Sequence, residues 1–195
     1  MSQREQQPTT STPNPPKRLY VRAVTPGLRK LLWIVFVLVA LLSANAAYLS
    51  AITGMQWVTG EVYQTHFYFL MLLGHIVVGL LLVVPLIVFG GLHIRNAHGR
   101  SNRRAVRVGY VLFAVSIAVL VTGFALVRVE NVIDLKHPLG RNVVYWLHVA
   151  LPLIAGWLYW LHRLAGPRIK WHIGGRFAAV SAITVVLMVA MHSQD

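Results

Sequence analysis

The sequence predicts an all-α integral membrane protein, a bundle of five transmembrane helices. Three observations predict it. Of 195 residues, 56% are hydrophobic and only 12% are charged, a balance that a small water-soluble domain does not keep. The apolar residues gather into five runs close to the ~20 residues needed to cross a bilayer core of roughly 30 Å. The basic residues sort by side: 15 of the 18 Lys and Arg fall at alternate run boundaries.

Residues 1–27 are rich in Gln, Thr, Ser and Pro, with the tract Pro13-Asn14-Pro15-Pro16. They hold too little apolar surface to offset the entropy of ordering and read as a disordered cytoplasmic tail. Residues 28–195 form the transmembrane domain. Span one, about 31–52, begins directly after Arg29-Lys30. The apolar core Leu31–Leu42 followed by Ala44-Asn45-Ala46 also fits a signal peptide. The long polar segment before it favours an uncleaved anchor. Spans two to five are read at about 67–94, 108–127, 143–165 and 173–192. The connections are too short to fold a soluble catalytic module.

Orientation follows from charge, because Lys and Arg stay on the cytoplasmic side. Arg4, Lys17, Arg18, Arg22, Arg29 and Lys30 precede span one. Five arginines, Arg95 to Arg107, separate spans two and three, and Arg163, Arg168, Lys170 and Arg176 surround the link between four and five. The opposite set holds only Arg128, Lys136 and Arg141, together with the acids Glu61, Glu130, Asp134 and Asp195; Glu5 is the one acid in the inner set. The amino terminus is therefore expected in the cytoplasm and the carboxyl terminus outside. This split accounts for the net charge of +13 without nucleic acid, and the basic face suits anionic lipid. Cysteine is absent, which excludes disulfides, iron–sulfur ligation and covalently attached c-type haem.

An ionisable group inside a span is costly, so each is a candidate for function. Four of nine His lie within spans: His75 and His93 on span two, His148 and His162 on span four. The 18-residue step between the first two is five whole turns at about 100° per residue, and the 14-residue step between the second two is about 40° short of four turns. Each helix thus carries two stacked His on one face. Spans two and four run in the same direction, which sets His75 opposite His148 near the outer side and His93 opposite His162 near the inner side. The steps differ by four residues, about 6 Å of rise, which tilt or the prolines Pro85 and Pro152 must absorb.

Two facing imidazoles are what a six-coordinate haem iron requires. The pattern predicts two haems held between spans two and four, with His75 and His148 as axial ligands of the outer iron and His93 and His162 of the inner. A hydrogen-bonded buried histidine is the ordinary account of any one of these residues taken alone. Zinc fits less well, since each level has two His and no carboxylate or Cys to complete a tetrahedron. Gly74, Gly79, Gly90, Gly91 and Gly156, near the ligands, are candidates for giving a flat ring room to approach. His66, His98, His137, His172 and His192 are expected at the interfaces, and Trp57, Trp146, Trp157, Trp160 and Trp171 in an aromatic belt.

On His75, His93, His148, His162 and the neighbouring glycines, spans two to four resemble the dihaem cytochrome b subunits of bacterial respiratory electron-transfer complexes. The quinol-oxidising group is the most similar, although the step of 18 departs from its nearly equal spacing. The resemblance implies two non-covalent b-type haems relaying electrons across the bacterial cytoplasmic membrane. It also implies exchange with a quinone pool, with a periplasmic cytochrome or iron–sulfur protein, and with other subunits of a membrane oxidoreductase. Arg141 outside and Arg95, Arg100 or Lys170 inside are candidates to neutralise haem propionates. Glu61, Glu130, Asp134 and His137 are outer-loop groups able to accept quinol protons. Two other functions fit the composition: a proton or ion transporter using the same His as relays, which calls for intramembrane carboxylates that the spans lack, and a cofactor-free anchor subunit, which leaves four mid-span His unexplained.

Overall fold

A computed structural model of the chain describes residues 24–127, 137–165 and 171–194. The tail up to residue 23, the loop residues Arg128, Glu130, Asp134, Lys136, Arg168 and Lys170, the side chain of His172, and Asp195 lie outside the described residues. Five α-helices follow in order: α1 Pro26–Thr59, α2 His66–Ala97, α3 Arg103–Leu126, α4 Pro138–Leu164 and α5 Trp171–His192. All five are long and apolar enough to cross a membrane, the make-up of a multi-pass membrane protein.

The helices extend past most ends of the apolar runs, and polar side-chain caps start α1, α2 and α3. Thr25 accepts a hydrogen bond from the Leu28 amide, with Pro26 preset for the first turn. Helix α1 therefore begins inside the segment expected to be tail. It ends at Gly60, whose φ of 75° is the left-handed conformation that glycine adopts without strain. Thr65 caps α2 and Asn102 caps α3 through their side-chain oxygens. The Asn102 amide also donates to the Ala165 carbonyl at 2.7 Å, tying the start of α3 to the end of α4. Within lipid, this complete internal pairing of backbone groups is what makes a helix the stable form of such runs.

The chain runs up and down. Asn45 meets Met71 while Tyr48 meets Phe67, so α1 and α2 are antiparallel. Trp33 stacks on Phe177 while Tyr48 reaches His192, so α5 lies parallel to α1. His148 packs on residues 119–123 and His162 on residues 105–109, so α3 and α4 are antiparallel. The resulting pairs, α1–α2 and α3–α4, are joined by a close crossing in which Gly90 of α2 receives the ring of Phe113 from α3; a methyl group at Gly90 would overlap that ring.

Burial concentrates on α1, which holds Leu28, Val35, Ala44, Asn45, Tyr48 and Ile52, and almost vanishes elsewhere. Helix α2 buries only Leu82 and Gly90, α4 only Leu158, and α3 no residue at all. Leu70, Val84, Leu153 and Leu187 are more than half exposed, the outward apolar surface that acyl chains cover. No Cα atom of α2 comes within 8 Å of one in α4. The two helices flank a layer that their backbones do not fill.

Candidate functional site

Across that layer the histidines meet. The ring centroids of His75 and His148 are 6.2 Å apart with planes at 86°, and those of His93 and His162 are 6.1 Å apart with planes at 82°. Helices α2 and α4 therefore run in the same direction, and the stacked pairs expected from periodicity are the pairs that form. The unequal steps of 18 and 14 residues cost neither pair its contact: the two separations agree within 0.1 Å. The two levels are separated by about 21 Å along α4 and by about 27 Å along α2.

The separation has a chemical meaning. With metal–imidazole bonds of about 2.0–2.1 Å, two imidazoles on opposite sides of one ion stand roughly 6 to 6.5 Å apart, centroid to centroid. Both pairs fall in this interval. Each level offers two nitrogen ligands, and among the described residues no group of three or more His, Cys, Asp or Glu comes together to hold a metal ion. An ion bound here needs equatorial donors from another source, which a porphyrin supplies as four coplanar nitrogens.

Hydrogen bonds fix the tautomers on α4. Nδ1 of His162 is 3.1 Å from the carbonyl oxygen of Ala105. Nδ1 of His148 is 3.2 Å from the carbonyl oxygen of Val119 and 3.2 Å from Oγ1 of Thr122. A carbonyl oxygen only accepts, so each Nδ1 carries the proton and donates it. The Thr122 hydroxyl proton has its own acceptor, the Ala118 carbonyl at 2.8 Å, so Oγ1 also receives from Nδ1. Nε2 is left as the basic nitrogen of both rings. This is the arrangement of metal-ligating histidines, whose second nitrogen donates to a carbonyl that orients the ring and raises its basicity.

Helix α3 is built to allow it. A Cβ on Gly109 would lie 3.2 Å from Cε1 of His162, and one on Gly123 would lie 2.8 Å from Cε1 of His148. Each glycine follows its accepting carbonyl by four residues, which removes the side chain that would stand between that carbonyl and the ring. Ala105 and Val119, Gly109 and Gly123, and His148 and His162 are all fourteen residues apart. The motif occurs twice, once at each level. The paired rings are half-buried, and the plane of the Phe89 ring lies 9° from that of His93, with centroids 5.4 Å apart.

The glycines singled out from sequence behave differently. Gly79, Gly91 and Gly156 face open space, Gly74 lies beside Asn45, and Gly90 is taken by Phe113; none touches a paired ring. The glycines that do touch one are Gly109 and Gly123 on α3. The signal for them was their spacing, which equals that of the histidines on the neighbouring antiparallel helix.

Outside the layer, His66, His98 and His137 are exposed, as expected of interfacial residues. His192, the last residue of α5, is half-buried. Its Nδ1 is 2.9 Å from the hydroxyl of the fully buried Tyr48 and 3.3 Å from Thr65 Oγ1, which pins the end of α5 to α1 and the start of α2. Arg95 lies in the last turn of α2, two residues beyond His93, and Arg141 in the first turn of α4. The rings of Trp57, near the end of α1, and Trp146, in the third turn of α4, meet at 5.8 Å. No known protein family, curated protein or solved structure matches the chain.

Proposed function

We propose that this chain is a membrane electron-transfer subunit holding two non-covalent b-type haems, the outer by His75 and His148 and the inner by His93 and His162. The observation that carries the reading is the repeated geometry of α2, α3 and α4: two imidazole pairs at the spacing of a shared metal ion, with α4 rings whose Nδ1–H groups are held by α3 carbonyls. A proton relay has no need of two facing pairs at equal separation, and an anchor has no need of glycines under the rings.

The residues fit the group. No Cα atom of α2 comes within 8 Å of one in α4, and the paired rings reach across that distance, whereas the cleft beside His93 and His162 measures only about 30 Å³. A haem would be held between the paired rings, by His75 with His148 and by His93 with His162. When bound, haem supplies one-electron chemistry, taking up and releasing an electron at the iron. The protein's part would be to fix the ligands, to keep water out with the apolar side chains of α2–α4, and to separate the two levels by about 21 Å along α4 and about 27 Å along α2. Arg95 and Arg141, near the inner and outer levels, suit the neutralisation of propionates.

The charge distribution supports an amino terminus in the cytoplasm of a bacterial inner membrane, with the basic inner face on anionic lipid. By resemblance to dihaem cytochrome b subunits, the electrons pass between a quinone pool and a periplasmic cytochrome or iron–sulfur protein within a larger oxidoreductase. The test is the visible spectrum and haem content of the purified chain. Two haems per chain with the sharp reduced bands of bis-histidine ligation are expected; a colourless, folded protein overturns the reading.

A further inference from the structure

His148 and His162 have their Nδ1 protons taken by α3. His75 stands apart: its Nδ1 is buried and has no hydrogen-bond partner among the described residues. The other buried side-chain atom in that condition is Oδ1 of Asn45 on α1. Asn45 is also the only buried polar residue among those described, 8% exposed. A lone asparagine on the apolar flank of a transmembrane-length helix calls for a reason, because leucine packs there without an amide to satisfy.

One end of that amide is already placed. Nδ2 donates to the Met71 carbonyl at 2.9 Å, and the reverse assignment would set two oxygens against each other. Met71 is one turn before His75, and Nδ2 also lies 3.9 Å from the Cβ position of Gly74, the residue adjacent to His75. The free Oδ1 therefore stands at the same turn of α2 as the free Nδ1. One is an acceptor only and the other is a ring nitrogen able to donate. The relationship also has the form seen at the other side of the layer: the antiparallel neighbour of each histidine-bearing helix, α3 for α4 and α1 for α2, faces the ligand helix with an acceptor.

We infer that Asn45 is a positioning residue for His75, its Oδ1 accepting the Nδ1 proton directly or through one bridging water. The bond holds the ring in the tautomer whose Nε2 carries the lone pair and makes that nitrogen a stronger donor. A stronger axial donor favours the oxidised iron and lowers the midpoint potential of the outer haem. The inference rests on the haem reading above. A purely structural role for Asn45, clamping α1 to α2 through Met71, would alter stability and leave the potentials alone.

The test is a redox titration of the purified full chain, with the outer haem assigned as the one that survives in His162→Ala. In Asn45→Leu both haems are retained, the outer midpoint rises and the inner is unchanged. In Asn45→Asp an acceptor oxygen persists in either protonation state, so the outer midpoint lies at or below that of the parent. If leucine is not accommodated, Asn45→Ala reads the same loss of the acceptor. Haem-replete variants whose two midpoints stay put, or move together, overturn the role of Asn45 and leave the haem reading standing. A parent chain that binds no haem overturns both.

Discussion

Cε1 of His148 lies 2.8 Å from where a Cβ of Gly123 would stand. The α4 imidazole thus rests on the bare backbone of α3, and the position of the ring is set by a residue on another helix. At the other level the corresponding distance, from Gly109 to His162, is 3.2 Å. The small difference gives the two glycines different tolerances.

Gly123→Ala forces the His148 ring to move, whereas Gly109→Ala asks the His162 ring to give by only a few tenths of an ångström. Haem titration into the apoprotein is expected to show outer-haem affinity reduced about 10- to 100-fold in Gly123→Ala, the range for disturbing groups that orient a ligand. Gly109→Ala is expected to stay near the parent affinity, while Gly109→Val loses the inner haem. Equal behaviour of the two alanine variants would contradict the geometry.

His93→Ala and His162→Ala are expected to remove the same single haem and to leave the other, as are His75→Ala and His148→Ala for the opposite level. Pyridine haemochrome stoichiometry falls from two per chain to one, and redox titration shows which component remains. Loss of different haems from the two members of a pair would refute the pairing.

Gly90→Ala is expected to destabilise the crossing of α2 and α3 by about 1 to 3 kcal/mol, the usual cost of overpacking, because the new methyl overlaps Phe113. Phe113→Leu in the same chain restores much of the loss, a departure from additivity that residues in contact display. Thermal denaturation in detergent measures both. Additive losses would show that the close approach is not what Gly90 is for.

Tyr48→Phe removes the hydroxyl that meets His192 Nδ1 at 2.9 Å and keeps the ring against Phe67. A loss of about 1 kcal/mol in stability is expected, with accelerated hydrogen exchange confined to the end of α5 and with haem content unchanged. A change in haem content would mean that this contact serves the site rather than the bundle.

Much of this was readable in advance from particular residues. The apolar runs between Lys30 and His192 marked five helices, and the steps His75 to His93 and His148 to His162 marked same-face pairs, since rotation per residue is a local property. The helix ends were less readable: Thr25 and Pro26 start α1 within a segment whose composition is that of a tail. Gly109 and Gly123 went unnoticed because attention stayed on the two histidine-bearing helices, whose Gly91 and Gly156 face open space. The partner of His192 was not legible for a similar reason. Nothing near it in the chain announces Tyr48, 144 residues away.

Sequence alone determined the helices, their alternation and the stacking of histidines, because hydrophobic periodicity and backbone pairing act over a few turns. Only the tertiary structure decided which carbonyl holds each α4 ring, that Gly109 and Gly123 lie beneath His162 and His148, and that Asn45 and His75 each bring an unanswered polar atom to one turn of α2. Those outcomes depend on which helices become neighbours and at what register, and register is fixed by side-chain packing between segments that the chain order leaves far apart.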